Sequence, residues 1–148
     1  MEWYEVKNKK DINYLLQKYC GFHDSCLVSL NYNSGALVDS DGNMRFGISE
    51  ERELHMFFKS QCTKNVLELN FTHVKKFHVA GWQEYYACDI FSCYLDIRND
   101  LISGKDDNFI IWADDEAFNP KEIDERPILN EPMITYVIAG NLKWRFIL

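Results

Sequence analysis

Four consecutive residues, His23-Asp24-Ser25-Cys26, form the densest group of chemically capable side chains in the sequence. An imidazole beside a carboxylate, a hydroxyl and a thiol is the material of a metal site or an activated nucleophile. A metal needs three or four converging ligands. His73 and His78 could contribute, but five positions apart on one strand they would face opposite ways. A Cys–His nucleophile needs an exposed thiol, whereas the alternation of the following stretch turns Cys26 inward. The competing reading is a helix-to-strand corner, with Asp24 or Ser25 bonding backbone amides. Asp39, Asp41, Asn43 and Glu50 match part of a calcium-loop pattern, but Met44 stands where that pattern requires Gly, and Gly42 comes two residues early. Those acids read as a hairpin tip. His55, between Leu54 and Met56, reads as a residue of a solvent face. The chain has no G-x-G-x-x-G, P-loop, H-E-x-x-H, G-x-S-x-G or C-x-x-C. No metal and no cofactor is expected.

Charge is the second signal. The formal net charge is −7, and residues 106–125 hold eight acids against the single base Lys121, so this stretch carries the whole excess. An acidic chain is a poor ligand for phosphates, so no nucleic-acid partner is expected; a basic protein partner suits it better. Asp114, Asp115, Glu116, Glu122, Asp124 and Glu125, with Phe118 as apolar anchor, are the candidate partner-binding residues. Acids around an apolar anchor are what an interface hot spot with a charged rim looks like. The competing reading is a solvated loop whose apolar residues tuck onto the sheet edge.

Strands must position these groups. Residues 87–115 read as a central antiparallel hairpin. Phe91, Cys93, Leu95 and Ile97 alternate with Ile90, Ser92, Tyr94 and Asp96, a turn follows, and Phe109 to Trp112 return. Before it, Asn8 caps a helix, Asp11 suits its first turn, Ile12, Leu15, Leu16 and Tyr19 follow at helical spacing, and Gly21 ends it. Cys26, Val28, Leu30 and Tyr32 share one face of the next strand. Ala36 to Val38 pairs with Met44 to Ile48 across an Asp-Gly turn. Leu54, Met56 and Phe58, then Leu67, Leu69 and Phe71, mark two further strands. A short strand over residues 75–79, a strand over 133–139, a turn at Gly140-Asn141 and a strand over 142–148 complete the reading. Residues 82–86 form an aromatic loop, and the proline-bearing 114–132 is long for a connection. The expected fold is α+β: a strongly curved antiparallel β-sheet, half-barrel or sandwich-like, with one N-terminal α-helix, in a single domain over 1–148.

The five cysteines are odd in number, so free thiols in a reduced cytoplasmic setting are expected, and no apolar run reaches membrane-spanning length. The sequon at Asn70 then falls in a strand by accident.

Gly21-Phe22-His23-Asp24-Ser25-Cys26, the hairpin end Trp112-Ala113-Asp114 and the closing Lys143-Trp144-Arg145 resemble a group of small, uncharacterised bacterial proteins. In size, acidity and strand content the chain is also loosely similar to toxin-immunity proteins. That likeness implies a non-enzymatic acidic binding protein that neutralises a basic bacterial toxin such as a nuclease. The alternative is a small-molecule binder or enzyme, with a pocket on the concave side of the sheet near His23 and Asp24. A third reading is a structural subunit that forms a homodimer through an exposed edge strand.

Overall fold

The computed structural model describes residues 1–80, 87–125 and 134–148. Among them are one α-helix and nine strands, which makes the fold α+β. The strands are β1 (Tyr4–Val6), β2 (Ser25–Asn33), β3 (Ala36–Val38), β4 (Met44–Phe46), β5 (Glu53–Ser60), β6 (Val66–His78), β7 (Tyr94–Arg98), β8 (Phe109–Ala113) and β9 (Tyr136–Ile147), with α1 at Lys9–Lys18. Seven strands form one open antiparallel sheet in the order β2-β5-β6-β9-β8-β7, with β1 also on β9; β3 and β4 form a separate two-stranded ribbon.

The helix begins where a side chain can satisfy its free amides. Asn8 Oδ1 accepts the Asp11 N–H at 3.0 Å, and Asp11 Oδ2 accepts the Lys7 N–H at 2.8 Å, a reciprocal cap. Ile12, Leu15 and Tyr19 are fully buried; each aliphatic side chain so buried contributes about 2 kcal/mol. Beside the helix, Tyr4 stacks on Trp144 at 4.7 Å, and Tyr14 lies 5.9 Å from the same ring.

The alternation of β5 and β6 is realised as read. Leu54, Met56, Phe58, Leu67, Leu69 and Phe71 are all fully buried in the main core. The 75–79 segment is not a separate strand, however, and Gly140-Asn141 is not a turn: β6 and β9 each run through as one long strand. The pairing register shifts between Val74 and Lys76, just after His73, whose φ is +54°. An inserted residue of this kind bends a strand without ending it. Opposite it, a Cβ on Gly140 would sit 2.8 Å from the His73 Cβ, so glycine is there for close approach.

The bend is large. Phe58 pairs through Leu67, and Trp112 connects through Val137 to Phe77. A straight strand from Leu67 to Phe77 would be about 33 Å long at ~3.3 Å per residue. Yet the Phe58 and Trp112 rings are 5.1 Å apart, with Phe22 against both. The two halves of the β6–β9 pair therefore fold toward each other around one core.

The residue 87–115 hairpin forms as β7 and β8, but at the sheet's edge; the central pair is β6–β9. Its first strand starts at Tyr94, and before that the expected faces are exchanged: Ile90 is buried and Phe91 is 75% exposed. In β2 a register shift between Leu27 and Ser29 breaks the expected face, leaving Val28 52% exposed while Leu27 and Leu30 pack on the core. All of β8 is buried. Its second face packs in a smaller cluster with Phe118 and Tyr136.

Cys20 and Cys62 are joined by a disulfide, with 6.6 Å between their Cα atoms. This corrects the reading of all five cysteines as free thiols; Cys26, Cys88 and Cys93 are free. No helix among the described residues is long and apolar enough to cross a membrane.

Candidate functional site

The His23-Asp24-Ser25-Cys26 stretch is a corner, and each of its parts has a structural task. Cys20, Phe22 and Asp24 take φ values of +52°, +64° and +55°, a left-handed conformation that costs non-glycine residues about 1 kcal/mol or more each. The turn is held by what it anchors. Phe22 is fully buried. Ser25 Oγ donates to the Phe22 carbonyl at 2.6 Å, rather than accepting from an amide. The Asp24 N–H donates to Ile90 O at 3.0 Å, and Asp24 O accepts the Gln61 N–H at 3.0 Å. His23 Nδ1 donates to Phe91 O at 2.8 Å, and its Nε2 lies 3.3 Å from Asp24 Oδ2. The motif thus pins the segment before β7 to the start of β2. Asp24 also lines a cavity of about 590 Å³ with Lys59, Ser60, Asp89 and both Cys26 and Cys88; His23 is not part of that lining.

The acidic stretch divides. Phe118 is 5% exposed and stacks on Tyr136 at 5.0 Å, so it anchors the loop to its own sheet rather than reaching for a partner. Asp114 is half-buried: its Oδ1 accepts the Thr135 N–H at 3.1 Å. Burial pushes its carboxyl up to about 6; the Thr135 N–H opposes this and the Asp115 charge adds to it. Asp115 Oδ1 accepts the Ala117 N–H at 2.9 Å. Glu116 and Glu122 are exposed, as are Asp106 and Asp107. Asp124 and Glu125 close the short turn Pro120–Glu125. Lys121 turns out of the stretch to Asp100 at 3.0 Å, and Asp100 also holds Arg98 at 2.6 Å. The Arg98 guanidinium and Lys121 ammonium keep the Asp100 carboxyl well below the usual carboxylate range. The aromatic loop at 82–86 lies outside the described residues, as do Ile128 and Leu129 of the 114–132 connection.

Of the residues that partly match a calcium loop, Asp39, Asp41 and Asn43 form the hairpin tip, while Glu50 lies 3.7 Å from His73. Asp39 Oδ1 accepts the N–H groups of Asp41 and Asn43 at 3.0 and 2.9 Å. No cluster of three metal-binding side chains occurs among the described residues.

Two features went unrecognised in the sequence. One is a polar network on the outer face of β5, β6 and β9. Glu68, 3% exposed, accepts from His55 Nδ1 at 2.8 Å and from Arg145 Nε at 2.7 Å. The second ring nitrogen of His55 lies 3.2 Å from Glu53. The Arg145 guanidinium lies over the Trp3 ring at 4.3 Å. His55 is therefore half-buried and paired rather than a plain solvent-face residue. The signal was the period-two pattern itself, which puts these polar residues on one face.

The other is the uncovered apolar face of the ribbon, whose strand pairing the Asp-Gly turn signals in the sequence. Ala36 pairs with Phe46 and Val38 with Met44; directly opposed residues share a face, so these four lie on one side. Val38, Met44, Phe46 and the following Ile48 are 65%, 85%, 69% and 64% exposed. Large apolar groups so exposed and contiguous mark interaction sites in soluble proteins. In the same stretch, residues 36–53 hold five acids (Asp39, Asp41, Glu50, Glu51, Glu53) and two bases, with Glu50 and Glu53 facing His73 and His55. The bases are engaged: Arg45 Nε lies 3.8 Å from Asp39, and Arg52 donates to Ser49 Oγ at 2.8 Å. Against these observations, no protein-family model, curated protein or solved structure matches the chain.

Proposed function

We propose that the chain is a non-enzymatic, acidic binding protein that covers a basic protein partner, in the manner of an immunity protein on a toxin nuclease. What supports this is the β3–β4 ribbon: an uncovered apolar face in an acid-rich stretch, on a chain of net charge −7. Apolar side chains there would supply affinity. The acids around them, with exposed Asp106, Asp107, Glu116 and Glu122, would select a basic surface and speed encounter. The docking face proposed thus moves from the 114–125 loop to the ribbon, because Phe118 is committed to the core.

The test is a binding assay with a basic nuclease domain encoded beside this chain. Met44→Ser and Phe46→Ser are expected to weaken binding by about 30-fold or more, since hot-spot truncations cost about 2 kcal/mol. Thermal stability should hold, because both side chains are exposed. Unchanged affinity in both variants, or no complex with the nuclease, would refute the proposal. The compartment proposed with it is the cytoplasm, where Cys20–Cys62 would have to resist the thiol pool.

A small-molecule reading keeps one supporting observation, the cavity of about 590 Å³ where Asp24, Lys59, Ser60 and Asp89 meet. It would place ligand chemistry where residues 87–89 meet the paired ends of β2 and β5, without His23.

A further inference from the structure

The corner that carries Cys20–Cys62 holds two more sulfurs. Ser25 forms a bridge with Ile90, the Ile90 N–H donating to Ser25 O at 2.7 Å. One residue beyond the bridge on β2 stands Cys26; two residues before it on the other segment stands Cys88. Both line the same cavity, beside Lys59 and Ser60, and the Cys88 thiol is near enough to act on the Cys26 thiol. Cys88 is exposed and Cys26 half-buried. The remaining thiol, Cys93, belongs elsewhere: it packs on the main core, close to the Trp112 indole, and burial pushes it up to about 12.

We propose that Cys26 and Cys88 are a second disulfide-forming site, closed by exchange with a low-molecular-weight disulfide. The exposed Cys88 thiolate attacks one sulfur of the oxidant. The oxidant's S–S bond breaks, a mixed disulfide forms on Cys88, and the first leaving thiolate takes up a proton. Cys26 then gives up its proton and attacks Cys88 Sγ, releasing the second thiol. Two protein thiols are oxidised and one disulfide is reduced to two thiols. Burial, with the Cys88 thiol second, holds the Cys26 thiol above its ordinary range, which suits it to the resolving role rather than first attack. Closure would add a covalent tie to the hydrogen bonds that already hold residue 90 against β2.

The experiment treats the full chain with oxidised glutathione, blocks remaining thiols with an alkylating agent and maps non-reduced peptides. Wild type is expected to yield a Cys26–Cys88 linked peptide, and its alkylatable thiols fall from three to one, Cys93. Cys26→Ser is expected to trap a stable glutathione adduct on Cys88. Four results overturn the proposal: a stable adduct on Cys88 in wild type with Cys26 still alkylated, a Cys88–Cys93 link, a link between chains, or no reaction. If Cys26→Ser does not fold, the wild-type peptide map decides alone.

Discussion

Asp114 is a carboxylate that the fold would rather hold neutral. Its ordinary value of 3.8 is raised to about 6 by burial between β8 and the start of β9. The folded chain therefore binds this proton more tightly than the unfolded chain does. The resulting stability is whole below about pH 4 and is lost as pH rises through about 6, an effect of up to about 3 kcal/mol. Asp114→Asn keeps an acceptor for the Thr135 N–H and removes the charge. The variant is expected to be more stable than wild type at pH 7 by about 1–3 kcal/mol and to lose the slope between about pH 4 and 6; urea melts at several pH values measure both. None of this was legible from the Asp114-Asp115-Glu116 run, where identical charges read alike. What separates them is the burial of Asp114 against Thr135, a residue far along the chain. The corner residues were legible in kind, as a structural turn, but not in detail: which backbone group each one holds depends on residues 90 and 91, and no local pattern encodes that.

At the scale of elements, alternation reads strands well until a residue is inserted. Leu54, Met56, Phe58, Leu67, Leu69 and Phe71 were placed correctly because β5 and the first half of β6 are regular. Val28 and Lys75 each stand where the register shifts, and beyond them the faces exchange, so a period of two counted through them gives the wrong side. The same insertion made one strand look like two at residues 73–75. Gly140 looked like a turn for a related reason: it is the small residue opposite the kink, not a chain reversal. Gly140→Ala is expected to destabilise by about 1–3 kcal/mol, because the added methyl meets the His73 Cβ. His73→Gly removes that Cβ and suits the positive φ, so the double variant should recover much of the loss. A double-mutant cycle by chemical denaturation reads this coupling; strictly additive effects would mean the two positions are not in contact. The Cys20–Cys62 disulfide was hidden for want of any local mark, its partners lying 42 residues apart.

For the whole molecule, negative charge was read correctly in amount and only partly in use. Residues 106–125 carry the excess, yet Asp114 and Asp115 serve their own backbone, as Asp39 does at the tip of the ribbon. Long-range charge acts on encounter more than on the formed complex. Association with a basic partner is therefore expected to slow by about 10-fold or more between low and physiological salt, while dissociation changes little. Stopped-flow mixing at several ionic strengths checks it. An association rate indifferent to salt would leave the acids without a role in docking.

The last strand has an effect on when the molecule can exist at all. β9 lies along β6 on one flank and along β8 and then β1 on the other. As the chain emerges from a ribosome, β1 and β6 wait with open backbone groups while everything up to residue 147 is made, and β8 waits with them. The sheet closes by long-range pairing in a late step, which is slow in proteins of high contact order. Until then the apolar stripes of β6 and β8 are available to the wrong neighbour.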